Sequence, residues 1–402
     1  MPTSSCLRVW LVLVVAVLTS GGPAAAQEPD DLVVHGFASQ GFIKSTANDY
    51  LAESERGSFE FAEAGLNVTK QLGSRLRFGA QLFARDLGPE GDYRVSFDWF
   101  YLDYRLFDWL GLRAGRTKLP FGLHNETSDI DAARIPILLP QSLYPTTQRD
   151  LLLAQTGLEL YGFLSLGAAG GFDYRFYGGT IFVERPPFVP GPSPLVITDT
   201  GAPYVVGGRL LWETPLLGLR AGGSLQYLRL DIDFVAAPWL MPPPFMGPGK
   251  AKIPARLWVG SIDYQGERLG LMAEYGRWRA GRETSPMVVP NQTTISERLY
   301  AMATFHVTAW LTTGIYYARL VPDVEDCEEV FPWVSGCENR GAYQHDTAAT
   351  LRFDVTPRWL IKLEGHFMRG TALLDPSLND GVERQMLDEN WVVLLAKTTA
   401  YF

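Results

Sequence analysis

Apolar and polar residues alternate along much of the chain, with the period of two that is typical of β-strands. Residues 62–69 read AEAGLNVT and residues 76–85 read LRFGAQLFAR, and a polar turn separates the two stretches. Near the end of the chain, residues 349–355 (ATLRFDV) and 361–367 (IKLEGHF) repeat the arrangement. Each pair predicts a β-hairpin with one apolar and one mostly polar face. Alternation alone leaves open whether the apolar face meets a sandwich core or lipid.

The last eleven residues, VVLLAKTTAYF, predict a strand that ends on the aromatic residue Phe402. A free terminal strand would expose a row of unpaired backbone groups, and proteins usually shorten, charge or cover such edges. We therefore expect this strand to pair with the first predicted strand, residues 32–44, and to close a barrel.

The lengths of the connections decide between a sandwich and a barrel. Short connections are predicted near residues 70–74, 106–111, 164–170, 214–218, 265–268, 307–310 and 355–358. Longer ones are predicted near residues 45–57, 86–93, 118–150, 183–203, 233–254, 280–296, 320–344 and 373–389. Their strict alternation gives 16 strands with short turns at one end, as in outer-membrane barrels, and a soluble sandwich has no reason to sort its loops in this way. The prediction is an all-β, 16-stranded antiparallel transmembrane β-barrel with its apolar face in outer-membrane lipid.

The amino terminus predicts export. Residues 1–26 have a basic Arg8, an apolar run over residues 9–18 and small residues before Gln27, which is the pattern of a secretory signal peptide. Cys6 precedes the apolar run, so a lipid anchor at the cleavage site is not expected. Residues 27–402 then form the barrel domain, located in the bacterial outer membrane.

Composition and charge agree with this class. The formal net charge of −9 argues against a nucleic-acid partner. The 40 Gly, 17 Tyr and 11 Trp residues suit a β-protein with many turns. Tryptophans next to predicted short turns fit the aromatic girdle of a membrane barrel, with packing inside hairpins as the alternative. These are Trp109, Trp212, Trp310 and Trp359.

Cys327 and Cys337 lie in the predicted acidic loop VEDCEEVFPWVSGCENRG. In an exported protein such cysteines are expected to pair in a disulfide, which stabilises by about 2 to 4 kcal/mol. No His lies between them, so no metal site is predicted, and no cofactor is predicted either.

Two stretches resemble a known family. Residues 115–144, GRTKLPFGLHNETSDIDAARIPILLPQSLY, and residues 351–372, LRFDVTPRWLIKLEGHFMRGTA, resemble 16-stranded Gram-negative porins of the phosphate-selective O/P type. The resemblance implies a homotrimer of barrels that passes small hydrophilic solutes or ions, with a third long loop folded into the pore. It also implies recognition by the barrel-assembly machinery through the final strand ending at Phe402.

The third predicted long loop, residues 118–150, is too long for an ordinary connection and therefore suggests a functional role. An apolar, proline-bearing run over residues 135–140 suits packing against the barrel wall, whereas the flanks are charged. The alternative is a surface loop with no role in the pore. The candidate pore residues of the loop are Lys118, His124, Glu126, Asp129, Asp131, Arg134, Arg149 and Asp150.

Strand alternation assigns further charges to the lumen face, or alternatively to an ordinary solvated wall. They are Arg77, Arg85, Asp103, Arg105, Arg352, Lys362, Glu364 and Lys397. The phosphate-selective members are similar to one another in a ladder of lysines, but this chain has seven scattered lysines. Arginine can bind carboxylate or phosphate through paired hydrogen bonds, yet Arg113 and Arg116 have opposite strand parity. The sequence therefore favours a passive, water-filled general pore with at most a modest anion or carboxylate preference, and a selective phosphate porin is the alternative.

An outer-membrane enzyme and an adhesin or structural barrel are competing classes. A barrel hydrolase needs a nucleophile or acid pair beside a base. The chain has five His residues, and no GxSxG or HExxH motif accompanies them. We therefore predict no catalytic residues. An adhesin would not need a long inward loop.

Overall fold

The computed structural model describes residues 32–183, 195–236, 247–285, 291–325, 339–379 and 381–402. Over these ranges the chain forms a closed barrel of 16 antiparallel strands, each hydrogen-bonded to its neighbours in sequence. The predicted fold class and strand number are confirmed. The proposed signal peptide, Cys327 and Cys337 lie outside the described residues. Within the described residues, no helix is long and apolar enough to span a bilayer.

The strands are numbered in chain order. They are β1 (Leu32–Ser45), β2 (Phe61–Gln71), β3 (Leu76–Leu87), β4 (Ser96–Phe107), β5 (Leu110–Lys118), β6 (Ala154–Ser165), β7 (Gly171–Ile181), β8 (Leu195–Glu213), β9 (Leu219–Ala236), β10 (Gly247–Gln265), β11 (Leu269–Ser285), β12 (Gln292–His306), β13 (Leu311–Val321), β14 (Gln344–Thr356), β15 (Trp359–Gly370) and β16 (Asn390–Tyr401).

The first and last strands close the barrel, as the terminal sequence predicted. The pairing of β1 with β16 runs from Phe37 opposite Tyr401 to Ser45 opposite Val393. Phe402 extends the ladder through two backbone hydrogen bonds with Gly36, of 3.0 and 3.2 Å. A Cβ atom at Gly36 would lie 2.6 Å from the Phe402 ring, so glycine leaves room for the terminal aromatic side chain. Closure removes the open edge, because every strand then has two neighbours.

The short connections lie where they were predicted, but three of the predicted long loops include residues that belong to strands. The intervals 183–203, 233–254 and 280–296 include residues that extend β8, β9, β10, β11 and β12, which are 15 to 19 residues long. A strand that continues beyond the apolar band can carry polar residues on both faces. Alternation then disappears although the backbone ladder continues, so the pattern underestimated these strands.

The two faces of the wall differ sharply in exposure. Outward residues such as Leu66, Leu363 and Leu394 are 40, 44 and 55% exposed in the isolated barrel, whereas inward Lys362 and Lys397 are buried. A closed sheet has no second layer to cover its outer apolar face, so lipid is the partner that this face requires. The four predicted girdle tryptophans, Trp109, Trp212, Trp310 and Trp359, are also exposed next to short turns.

Candidate functional site

The connection between β5 and β6, residues 119–153, is called here the β5–β6 segment. It contains three short 3-10 helices, Asn125–Thr127, Asp131–Ala133 and Thr146–Gln148, followed by a short α-helix, Arg149–Leu152. The loop predicted over residues 118–150 therefore begins one residue later than expected, because Lys118 ends β5, and it continues through the helix.

Asp131 attaches the segment to the last two strands. One carboxylate oxygen lies 3.0 Å from Nζ of Lys362 and 3.5 Å from Nζ of Lys397. The other accepts a hydrogen bond of 2.8 Å from the Thr399 hydroxyl. Nζ of Lys362 also donates to the backbone oxygens of Asp131 and Arg134, at 2.7 and 2.9 Å. Both lysines are almost fully buried, so Asp131 supplies charge compensation that they require.

Glu364 of β15 holds the middle of the segment through its backbone. The amides of Ile137 and Leu138 donate to the two carboxylate oxygens at 2.7 and 2.9 Å. The same carboxylate lies 2.9 Å from Nε2 of His366, whose Nδ1 lies 2.9 Å from Asp346. A carboxylate that accepts several hydrogen bonds holds the backbone that donates to it in one position.

A third contact joins the segment to β11 and β12. The Tyr144 hydroxyl donates a short hydrogen bond to Glu274, and the Tyr300 hydroxyl donates to the same oxygen at 2.8 Å. The Leu123 amide donates to the other oxygen at 3.0 Å. Ser261 of β10 also donates to Glu274, at 2.6 Å. The buried Glu274 thus accepts bonds from two separate parts of the segment.

Arg149 connects the carboxyl end of the segment with β4. Its guanidinium forms a short hydrogen bond with Asp98 and lies 2.9 Å from Asp129. Lys118 lies 3.0 Å from Asp129 and 3.8 Å from Asp98, so two acids and two bases form one cluster. Asp98 can enter the cluster because a bulge opposite Gln81 gives β4 an extra residue and turns the carboxylate inward.

Glu126 forms a fifth attachment, on β7 and β8. Its two oxygens lie 2.6 Å from Arg175 and 2.9 Å from Arg209. Arg175 also lies 3.1 Å from Glu159 of β6, which extends the network along the wall. The charges of the segment thus pair with opposite charges on strands in several sectors of the barrel.

Apolar contacts accompany the ionic ones. Ile137 and Leu138 are buried in a cluster that includes Trp391, Val393 and Leu395 of β16. Leu119, Phe121, Leu139, Leu143 and Leu152 are buried in a second cluster with inward residues of β7 to β14. The proline-bearing run therefore contacts inward-facing apolar side chains of the wall.

The surroundings of the segment shift its titration. Burial tends to raise the pKa of Asp131, but Lys397, Lys362 and Arg134 outweigh it and hold the pKa well below its ordinary value. The pKa of Asp129 is lowered in the same way by Arg149 and Lys118, against burial. Burial lowers the pKa of His124 to about 4, so this side chain is neutral at pH 7.

A cleft separates part of the segment from β2 and β3. Three arginines line it, Arg85 from the wall and Arg134 and Arg149 from the segment, together with Glu63 and Asp129. Arg85 lies 3.0 Å from Glu90, and Arg134 donates to the Ser128 backbone oxygen at 2.8 Å. Guanidinium groups that share a water-accessible cleft can attract anions.

Two of the predicted lumen arginines lie outside these clusters. Arg77 pairs with Asp103 at 2.7 Å near the short-turn end, and Arg113 of β5 approaches the same carboxylate at 3.3 Å. Arg105 is exposed at the same end of β4. Arg116 donates to the Asp98 backbone oxygen at 2.9 Å.

Sequence reasoning missed several partners of the segment. Asp98 was hidden by the bulge, since parity counting assumes an uninterrupted strand. The acids and bases of β6 to β12 could have been found by continuing the alternation inward from each short turn. They are Glu159, Arg175, Arg209, Glu274 and Arg298. Among the described residues, no group of three or more His, Cys, Asp and Glu side chains could hold a metal ion.

Comparison with known proteins supports the porin interpretation. Residues 36–133 match the family model described as phosphate-selective porin O and P. No curated protein matches the chain in sequence.

Solved structures share the fold at low sequence identity. The outer-membrane expressed OmpT of Vibrio cholerae superimposes with a TM-score of 0.56 and 8% identity, over 94% of this chain and 99% of that chain. The Salmonella typhi OmpF complex with daunomycin superimposes with a TM-score of 0.55 and 12% identity, over 93% of this chain and 98% of that chain. An anion-selective porin from Comamonas acidovorans superimposes with a TM-score of 0.53 and 11% identity, over 93% of this chain and 100% of that chain. The chain is therefore similar to outer-membrane porins in its closed 16-stranded barrel fold, and over residues 36–133 it is similar to the phosphate-selective porins O and P.

Proposed function

We propose that the protein is a passive, water-filled channel and that the β5–β6 segment narrows its lumen. The observation that carries the proposal is the set of contacts between this one segment and inward side chains on β4, β7, β8, β11, β15 and β16. A segment on the outside of the barrel could not reach inward residues in so many sectors. A barrel of 16 strands is wide enough to leave an aqueous channel, so a narrow passage requires such an internal element.

The solutes we propose are small hydrophilic molecules or ions, with a modest preference for anions such as carboxylates. The arginine-lined cleft favours this preference, because a local positive potential attracts anions. The neighbouring Glu63 and Asp129 weaken that potential. Lys362 and Lys397 are buried against Asp131, so they are poor candidates for a lysine ladder. An anion-selective porin is among the proteins of similar fold, which agrees with a preference of this sign.

Shortening the segment tests the constriction. A variant that lacks residues 132–140 should have a larger single-channel conductance in planar bilayers, because the lumen loses its narrowing element. A variant that lacks the exposed residues 91–95 of the β3–β4 connection serves as the control and should retain the wild-type conductance. Both variants should still form heat-modifiable barrels on gels. Unchanged conductance and unchanged reversal potential in a salt gradient would remove the segment from this role and leave the barrel assignment intact.

We further propose that residues 1–26 are removed as a signal peptide, and that Cys327 and Cys337 form a disulfide. Intact-mass measurement of protein from the outer membrane tests both points. The mass should correspond to a chain that starts at Gln27 and is two hydrogens lighter than the same chain after reduction. Labelling of both thiols without reduction would contradict the disulfide.

A homotrimer and recognition by the barrel-assembly machinery through Phe402 complete the proposal. The in-vitro folded OmpT of Vibrio cholerae in a trimer form has a similar fold, with a TM-score of 0.51 and 11% identity. Cross-linking in membranes should give a band at three times the monomer mass. In cells, a Phe402→Ala variant should assemble more slowly than wild type. In detergent, where no machinery is needed, it should fold as wild type does.

The competing enzyme function predicts a different outcome. The channel proposal requires solute flux without chemical change of the solute. Hydrolysis of ester or peptide substrates by the refolded protein, above the rate in empty detergent, would favour an outer-membrane enzyme instead.

A further inference from the structure

Three exposed arginines lie on the outer face of β10 and β11. Arg256, Arg277 and Arg279 are exposed, while the alternate residues Leu257 and Trp278 are buried on the inner face. The three arginines therefore project from the same side of the wall as the apolar residues that face lipid. Their charge calls for an explanation, because a charged side chain on the lipid face is costly unless it reaches the interface.

Two of these arginines are direct cross-strand neighbours. Arg256 pairs in register with Arg279, and Arg277 pairs with Trp258. Like charges directly opposite each other in antiparallel strands are destabilising. In the part of the chain that the structure describes, neither Arg256 nor Arg279 forms an ion pair with an acidic side chain. The pair is thus a site of uncompensated positive charge.

Nearby acids are engaged by other residues. Glu297, which pairs in register with Arg277, lies 2.8 Å from Arg319 and accepts a hydrogen bond of 2.7 Å from Tyr275. Arg229 is bidentate on Asp231 at 2.7 and 2.9 Å. The patch formed by Arg256, Arg277 and Arg279 therefore remains positive after these pairs are counted.

The height of the patch places it at a membrane interface. Arg277 and Arg279 are eight and ten residues beyond Leu269, the first residue of β11 at the short-turn end. At about 3.4 Å per residue and a tilt of about 40°, they lie roughly 20 to 26 Å above that end, which matches the top of an apolar band about 25 Å tall. Trp258 and Tyr275 lie just below, exposed and in contact with a ring separation of 5.4 Å. Aromatic side chains of this kind mark the boundary between lipid chains and headgroups.

We propose that the arginine patch binds a phosphate group of an anionic glycolipid in the outer leaflet. Two adjacent guanidinium groups can hold one phosphate by paired hydrogen bonds, and the bound anion would remove the repulsion between them. The acyl chains of the same lipid would cover the apolar strands below, which a free phosphate cannot do. This inference depends on the outer-membrane barrel and not on what the lumen conducts.

Lipid binding by the refolded mature protein tests the proposal. The probe is fluorescent lipid A, a glycolipid with two phosphates, titrated in detergent against wild type and an Arg256→Gln/Arg279→Gln variant. The double variant should bind about tenfold more weakly or worse, because charge-assisted bonds to the phosphate are lost. Arg229→Gln is the matched control, since Arg229 lies on the same outer face but is paired with Asp231, and its affinity should equal that of wild type.

Two further arms identify the ligand. Lipid A without its phosphates should bind wild type weakly, with an affinity no higher than that of intact lipid A for the double variant. Inorganic phosphate at the same concentration as lipid A should not displace lipid A from wild type. An Arg256→Lys/Arg279→Lys variant, which keeps the charge, should bind better than the Gln variant. Gel heat-modifiability and wild-type conductance show that each variant is folded. Equal binding by the Gln variant and wild type, equal binding of the dephosphorylated lipid, or effective competition by inorganic phosphate would each overturn the proposal.

Discussion

Replacing Asp131 by asparagine removes the carboxylate that compensates two buried lysines. Lys362 and Lys397 lie 3.0 and 3.5 Å from the same oxygen and are almost fully buried. Lys397 keeps a second partner, because Glu63 of β2 accepts a hydrogen bond from it at 2.5 Å. Among the described residues, the acceptors that remain for Lys362 are backbone oxygens of the segment. The cost of the change therefore falls mainly on Lys362.

The expected magnitude follows from the geometry. Unit charges 3.0 Å apart attract by about 5 kcal/mol at an effective dielectric constant of about 20. Removing one partner of a buried pair typically costs about 3 to 5 kcal/mol, because the other charge is left uncompensated. The asparagine amide can still accept one hydrogen bond, so we expect the substitution to cost about 3 kcal/mol. The segment should be released locally from β15 and β16. The attachments through Glu126 and Arg149 remain, and the barrel should still close.

Planar-bilayer recording combined with urea unfolding in lipid vesicles measures this effect. Asp131→Asn should give a larger and noisier single-channel conductance and a lower unfolding midpoint. Asp150→Asn is the matched control, because Asp150 is an exposed acid of the same segment. Its conductance and its unfolding midpoint should match those of wild type. Adding Lys362→Met to Asp131→Asn should restore part of the stability by removing the uncompensated charge. If Asp131→Asn matched wild type in conductance and stability, the ionic attachment would not be what fixes the segment.

Further perturbations test three separate parts of the structure. Leu363→Arg on the outer face should lower the unfolding free energy in vesicles by about 2 to 4 kcal/mol near the midplane, and a loss below about 1 kcal/mol would argue against lipid contact. Arg134→Gln should shift the reversal potential toward cation selectivity without a large loss of stability. Arg149→Gln should shift the reversal potential in the same direction and also destabilise the protein by about 3 kcal/mol, because Asp98 and Asp129 lose their shared guanidinium. The pKa of His124, lowered by burial to about 4, predicts a flat reversal potential between pH 7.5 and 5.5; a step near pH 6.5 that His124→Gln abolished would contradict it. Because unfolding restores the ordinary pKa of about 6.5, protonation of the unfolded chain should lower stability as the pH falls from 6.5 toward 4.

The barrel could be predicted because lipid imposes a simple rule on the sequence. Outward residues must be apolar and inward ones can be polar, so strands such as β2 and β15 show the period of two directly. Connection lengths then supplied the strand number. The rule does not apply above the apolar band, where β9 carries Arg229, Asp231 and Asp233 among its last residues, and there the strand ends were misplaced.

The attachments of the β5–β6 segment could not be predicted in the same way. The sequence shows charges at Glu126, Asp129 and Asp131, but their partners are 49 to 268 residues away along the chain, apart from near neighbours such as Lys118 and Arg149. Pairings of this range depend on which strand lies opposite, and on details such as the bulge that turns Asp98 inward. Sequence periodicity contains neither kind of information.

The same attachments limit how strongly the channel can select anions. Wall cations such as Lys362, Lys397 and Arg209 are paired with acids of the segment, so their charge is not available to a passing ion. The more accessible inward arginines lie toward the short-turn end, where Arg77 and Arg220 have side chains 41 and 44% exposed. Each of them is paired with an aspartate, and a paired guanidinium attracts a second anion less strongly than a lone one. A wall rich in arginine is therefore compatible with a modest preference and a wide range of solutes, because many of its cations are already paired with acidic side chains.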